Sequence, residues 1–214
     1  TLRSSDLKEN VSARERRYQI SLQLHDIMAD MIYKTTDINE PLFNTLLKAE
    51  KLYGSEHKIA VDIAKKTLTY AQFLLKTYVL GTAYKKAFRN DKKIGVLLPN
   101  SLAGVISFFA LHCAGKIPVM LNFSLGNKQF ASCLKTVGLK QVITAHKFIE
   151  QGQLQRLIDC LQAEKVNIIY LEELAEKIDW KTKLKGMKKY LRREAVKIEP
   201  KEPAAVLFTS GSEG

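Results

Sequence analysis

The chain has 214 residues, 46% hydrophobic and 26% charged, the balance of an ordinary soluble protein that can bury a sizeable core. Its 34 Lys and Arg exceed its 22 Asp and Glu by 12. That surplus favours an anionic partner, whether phospholipid headgroups, nucleotide or nucleic acid, without choosing among them. Cys113, Cys133 and Cys160 stand singly in apolar or helical stretches, which excludes a disulfide framework and a cysteine zinc site and reads as reduced thiols in a cytosolic setting.

In chain order, TLRSSDLKEN at the start has no apolar core of the signal-peptide kind. From Arg14 to Tyr33, Ile20, Leu24, Ile27, Met28, Met31 and Ile32 recur at helical spacing and predict an amphipathic helix. The polar stretch KTTDINEP follows, and we place a boundary there, between 1–36 and 37–214. A second helix starts at Pro41, carries Leu42, Phe43, Leu46 and Leu47, and stops at Gly54. Short strands are expected around Ile59–Ile63 and Thr67–Thr69, turned at Lys65-Lys66. Thr69 with Gln72 reads as a capping box that opens a helix ending near Asn90.

The strand KIGVLLPNS, the helix LAGVISFFALHCAG and the strand KIPVMLNFS make a βαβ unit with parallel strands buried on both faces. The rhythm repeats. A helix over 128–136 leads to strand Gln141–Thr144, and a helix bearing Leu154, Leu157, Ile158 and Leu161 leads to strand Val166–Leu171. This alternation predicts a parallel α/β sheet. The apolar region Ile94–Phe123 is cut by Pro99-Asn100-Ser101 and by Gly115, Lys116 and Pro118, leaving pieces too short to cross about 30 Å of hydrocarbon. Between Lys181 and Lys197, Leu184, Met187 and Leu191 share a face of a strongly basic helix, suited either to an anionic membrane surface or simply to solvent. A last strand, Ala204–Phe208, delivers the chain to Thr209, Ser210, Gly211, Ser212, Glu213 and Gly214.

Glycines in such a loop let backbone N–H groups converge on an anion, and the three hydroxyls add donors. A plain Gly/Ser surface turn has the same spacing. Neither GxxxxGK[ST] nor GxGxxG occurs, and the Glu213 carboxylate opposes a phosphate unless it faces away or helps hold a metal ion.

AAVLFTSGSEG resembles the phosphate loop of the acyl-adenylate-forming superfamily, which activates carboxylic acids with ATP. LTY at Leu68–Tyr70, IGVLLPNS at Ile94–Ser101 and FFALHCAGKIPVMLN at Phe108–Asn122 follow the order of that family's amino-terminal half. Glu213 in place of the usual threonine, with MLNFS and IIYLEEL, resembles the branch of bacterial bifunctional acyltransferase and acyl-(acyl-carrier-protein) synthetases. The resemblance implies an α/β fold of parallel βαβ layers, the N-terminal part of an adenylating domain. Residues 1–36 would be the junction after an acyltransferase domain. It also implies that Thr209–Gly214 contact ATP phosphates, with Mg²⁺ as companion ion.

For the intact protein the resemblance implies fatty acid, acyl carrier protein and lysophosphatidylethanolamine as partners, at the cytoplasmic face of the bacterial inner membrane. The family's following Pro-Lys-Gly, its adenine and Mg²⁺ motifs and its catalytic lysine are not in this sequence. We therefore assign no catalytic or metal-ligating residue here and expect the 214 residues alone to be inactive. Two alternatives stand: a long-chain fatty acyl-CoA ligase, and a non-catalytic basic module that binds anionic membrane or nucleic acid. No nucleic-acid motif occurs, so nucleic acid is not an expected partner.

Several residues imitate chemistry. His25 and Asp30 have the H-x4-D spacing of glycerolipid acyltransferases, but five residues on a helix point them apart. His112-Cys113 are helical neighbours and cannot face each other. His57 and His146 have no ligand partners at local spacing and read as structural, and Phe108-Phe109 read as core.

Overall fold

A computed structural model describes residues 12–35, 39–62, 65–197 and 202–208. They fall into two compact units, one ending at Glu40 and one beginning at Pro41. Residues 36–38, around the expected boundary, lie outside the described residues. Among its described residues the first unit holds one helix, α1 (Ala13–Thr35), as the spacing predicts.

The second unit opens with α2 (Leu42–Tyr53), preceded by Pro41, whose missing N–H costs nothing at a helix start. An antiparallel hairpin, β1 (Lys58–Val61) and β2 (Thr67–Thr69), follows, with Lys65 left-handed at its turn (φ 58°). Thr69 then caps α3 (Tyr70–Ala87). Its Oγ1 accepts from the Gln72 backbone N–H, and the Gln72 side chain accepts from the Thr69 N–H, the reciprocal box that the sequence predicts.

The βαβ series comes next: β3 (Lys93–Val96), α4 (Leu102–Cys113), β4 (Ile117–Met120), α5 (Asn127–Val137) and β5 (Gln141–Thr144). It continues with α6 (His146–Gln151), α7 (Gln155–Ala163), β6 (Asn167–Tyr170), α8 (Leu171–Glu176), α9 (Trp180–Leu191) and β7 (Val206–Leu207). The five strands form one parallel sheet in the order β6-β5-β3-β4-β7. The α/β class and the parallel sheet are as expected.

Alternation along the strands divides the core. Leu97, Val119, Leu121 and Val142 pack with Phe130 and Leu134 of α5 and Leu157, Ile158 and Leu161 of α7. Ile94, Val96 and Ile143 pack on the other face with Ala110 and Leu111 of α4 and Tyr84 and Phe88 near the end of α3. A third cluster joins α2, through Phe43 and Leu46, to Phe73, Leu74 and Tyr78 of α3, with Phe109 of α4 packed against it. Phe109 is thus a core contact, as expected, edge-on to Phe73 at 5.7 Å.

Boundaries differ from expectation where tertiary contacts decide them. α3 stops at Ala87 rather than near Asn90, because Phe88 leaves helical geometry with its ring fully buried. β1 ends at Val61, and Ile63 lies outside the described residues. Leu171 leaves β6 to begin α8, and α6 is a further short helix the sequence reading did not separate. The last strand keeps only Val206 and Leu207, the two residues that find partners in β4. α9 ends at Leu191 because Arg193 turns left-handed (φ 46°) to reach Glu50. Among the described residues no helix is long and apolar enough to cross a membrane.

Candidate functional site

The carboxyl edge of the parallel sheet is where the chain can assemble a ligand site, because open α/β sheets bind ligands beyond the carboxyl ends of their strands. β3 leads to β4 on one side while β5 leads to β6 on the other, so the switch point lies between β3 and β5. There the buried Thr144 hydroxyl donates to the Leu97 carbonyl at 2.8 Å and fixes the two strand ends together. Beyond β3, Ser101 caps α4 by accepting the Gly104 N–H at 3.3 Å. A Cβ on Gly104 would stand 2.6 Å from the Pro99 carbonyl oxygen, so this tight turn requires glycine.

Beyond β4, the Asn122 Oδ1 accepts both the Ser124 backbone N–H at 2.9 Å and the Ser124 hydroxyl at 2.7 Å. Arg156 of α7 then clamps the loop. Its guanidinium donates to the Phe123 carbonyl (3.0 Å), the Leu125 carbonyl (2.9 Å) and Asn127 Oδ1 (3.0 Å). Three donors in a rigid fork suit arginine alone for this task. β7 lies beside β4 in parallel, Val119 opposite Val206 and Met120 opposite Leu207, and Phe208 packs against the α5/α7 side of the core. The chain therefore leaves β7 at the same edge as the clamped loop. Thr209, Ser210, Gly211, Ser212, Glu213 and Gly214 follow directly and lie outside the described residues.

A second polar group at this edge escaped the sequence reading. His146, after β5, stacks on Tyr170 (3.6 Å between centroids, 7° between planes), and its Nε2 is 3.0 Å from Glu173 Oε1. Its backbone N–H donates to Glu172 at 3.2 Å. His146 does have a carboxylate partner, contrary to expectation. The partner lies 27 residues away, so only the pairing of β5 with β6 brings it close and no local spacing could reveal it.

The remaining candidates are inert. Asp30 pairs with Lys34 at 2.6 Å and not with His25. His112 and Cys113 are buried, and burial pushes the imidazole down to about 4 and the thiol up to about 12, so neither ionises near neutrality. His57 sits between the rings of Tyr53 and Tyr70 at 5.6 and 6.3 Å. Cys113, Cys133 and Cys160 form no disulfide. Among the described residues no group of three His, Cys, Asp or Glu side chains could hold a metal ion.

The family model of the AMP-binding enzyme matches residues 49–214, covering the whole sheet and the terminal loop. The chain belongs to the AMP-binding enzyme family. A putative long chain fatty acid-CoA ligase, VraA of Staphylococcus epidermidis, is 25% identical over 87 residues, 41% of this chain and 19% of that protein. Among solved structures, VinN superposes with a TM-score of 0.62 at 20% identity over 81% of this chain. The O-succinylbenzoate coenzyme A synthetase MenE of Bacillus subtilis, in complex with AMP, superposes at 0.57 with 20% identity over 82%. The chain spans 43% of the first of these two structures and 40% of the second. At such identity they establish the fold, that of the amino-terminal part of an adenylate-forming enzyme.

Proposed function

We propose that this chain supplies the phosphate loop and the flanking sheet edge of an ATP-dependent fatty-acid-activating enzyme. The observation that supports the reading is that β7, which directly precedes Thr209–Gly214 in the sequence, runs parallel to β4 toward the edge where Asn122, Ser124 and Arg156 shape the neighbouring loop. There the backbone N–H groups of Thr209–Gly214 and the hydroxyls of Thr209, Ser210 and Ser212 would bind ATP phosphates. The fatty carboxylate oxygen would attack the α-phosphorus, the bond to the bridging oxygen would break, and pyrophosphate would leave. A thiol would then displace AMP from the acyl-adenylate and yield a thioester. Mg²⁺ is proposed as the companion ion, with no ligand assigned.

The name of the staphylococcal relative supports coenzyme A as the thiol. A second reading takes acyl carrier protein as acceptor, with reacylation of lysophosphatidylethanolamine by an acyltransferase domain at the cytoplasmic face of the bacterial inner membrane. Glu213 in the loop, with MLNFS and IIYLEEL, favours that branch. The full-length protein that contains this chain should show fatty-acid-dependent ATP–pyrophosphate exchange, and Ser212→Ala should lower it by about tenfold or more. Absence of exchange with any fatty acid would overturn the reading. Supplying coenzyme A and carrier protein in parallel identifies the acceptor from the thioester formed.

A further inference from the structure

The face of α9 that carries its large apolar side chains points into solvent. Trp180, Leu184, Met187 and Leu191 are 68%, 56%, 45% and 72% exposed. At about 100° per residue these four fall within about 60° of one another on the helix surface. The opposite face does the packing. Gly186 sits so close to α3 that a Cβ there would approach the Val79 Cα to 2.6 Å. Beyond the helix end, Arg193 grips the buried Glu50 through two hydrogen bonds of 2.7 and 2.6 Å, and Tyr78 donates to the Glu194 carbonyl at 2.9 Å. The helix is thus held from behind, and its apolar stripe is displayed rather than left over from a core.

Charge frames the stripe. α9 contains five lysines and no acid; Lys181 and Lys188 flank the stripe on one side and Lys183 on the other. Continuing round the helix, Lys185 and Lys189 face Lys85, Lys86, Arg89 and Lys116 across a cleft of about 710 Å³ whose one acidic wall residue among those described is Glu194. Partial burial first, then neighbouring Lys92, holds the Lys116 ammonium below its usual range. A nucleic acid would satisfy the lysines and leave four apolar side chains in water. An apolar protein face would cover the stripe and strand the lysines. An anionic bilayer meets both, with acyl chains for the stripe and headgroup phosphates for its flanks.

We propose that α9 is a membrane-docking helix, which seats Trp180, Leu184, Met187 and Leu191 in the interface of an anionic bilayer. This does not rest on the adenylation reading, and its test uses neither ATP nor fatty acid, so either can fail alone. Trp180 is the only tryptophan in the chain, so its emission reports the stripe directly. Vesicles of phosphatidylcholine containing about one third phosphatidylglycerol should shift the emission to the blue, with apparent affinity at least about tenfold above that for phosphatidylcholine alone. Raising salt should weaken the binding. Leu184→Ser/Met187→Ser/Leu191→Ser should abolish the shift, and Lys181→Gln/Lys183→Gln/Lys188→Gln should weaken it about tenfold and flatten its salt dependence. Far-UV circular dichroism establishes that each variant is folded. An equal shift with neutral vesicles, no shift with anionic ones, or undiminished binding by the folded serine variant would overturn the proposal. So would a blue shift that grows with protein concentration without lipid, since a second copy would then cover the stripe.

Discussion

Burial decides what His112 can do. Its ring packs against Phe108 at 4.8 Å, only 2% of the residue is exposed, and its Nε2 has no hydrogen-bond partner among the described residues. Desolvation holds its folded-state pKa near 4, against about 6.5 in an unfolded chain. For a base whose folded pKa is depressed, the unfolded chain binds the extra proton first. The contribution of neutral His112 to stability is therefore complete above about pH 6.5 and declines as pH falls, until both states are protonated below about pH 4. At pH 5 the loss is on the order of 2 kcal/mol. Urea titrations at pH 7 and pH 5 should show it, and in His112→Leu, which fills similar space without a titratable nitrogen, the difference should shrink by that amount. An unchanged difference would place the acid sensitivity elsewhere. The sequence already excluded a His112-Cys113 catalytic pair, because helical neighbours diverge. The pKa of a lone histidine was not legible: Phe108 and Phe109 lie on its own helix, but the desolvation depends on the elements that bury that helix.

Elements built by local rules were the ones the sequence could disclose. The Thr69-Gln72 box, the Pro41 helix start and the buried βαβ strands each follow from spacing within a few residues, and each is present. What escaped was set at a distance: the end of α9 by Glu50, the partner of His146 by strand pairing, and the Arg156 clamp by a loop some thirty residues away. The orientation of α9 belongs with these. Its sequence showed Leu184, Met187 and Leu191 on one face, but Gly186, the position without a side chain, chooses which face meets α3. Gly186→Ala tests that choice. Alanine gains about 1 kcal/mol of helix propensity over glycine, yet its Cβ would press on the Val79 backbone, which cannot swing aside as a side-chain tip can. Overpacking of this kind costs about 1–3 kcal/mol, so we expect a net loss of about 1 kcal/mol in chemical denaturation rather than a gain. An increase in stability would mean that α9 is not held against α3 as described.

Across the whole molecule, stability should fall along the sheet toward the strand that bears the loop. β3 and β4 each have partners on both sides and pair with each other through all four residues of each strand, whereas β7, an edge strand among the described residues, is joined to the sheet only by two residue pairs with β4. Few backbone pairs at an edge permit local opening well below the global unfolding energy, and regions that must accept ligands are drawn from that end of the range. The consequence is a directional effect of nucleotide. If Thr209–Gly214 bind phosphates, a bound nucleotide adds contacts to the segment continuous with β7 and stabilises its closed state by mass action. In the full-length protein, saturating AMP or a non-hydrolysable acyl-adenylate analogue should slow amide exchange of Val206–Phe208 by about tenfold or more. A smaller slowing should follow in the Arg156-clamped loop, and none in the β1–β2 hairpin, which belongs to a separate sheet. Should the analogue bind while exchange at Val206–Phe208 stays unchanged, the loop after β7 is not where the phosphates sit, and the β3/β5 switch point becomes the place to look for them.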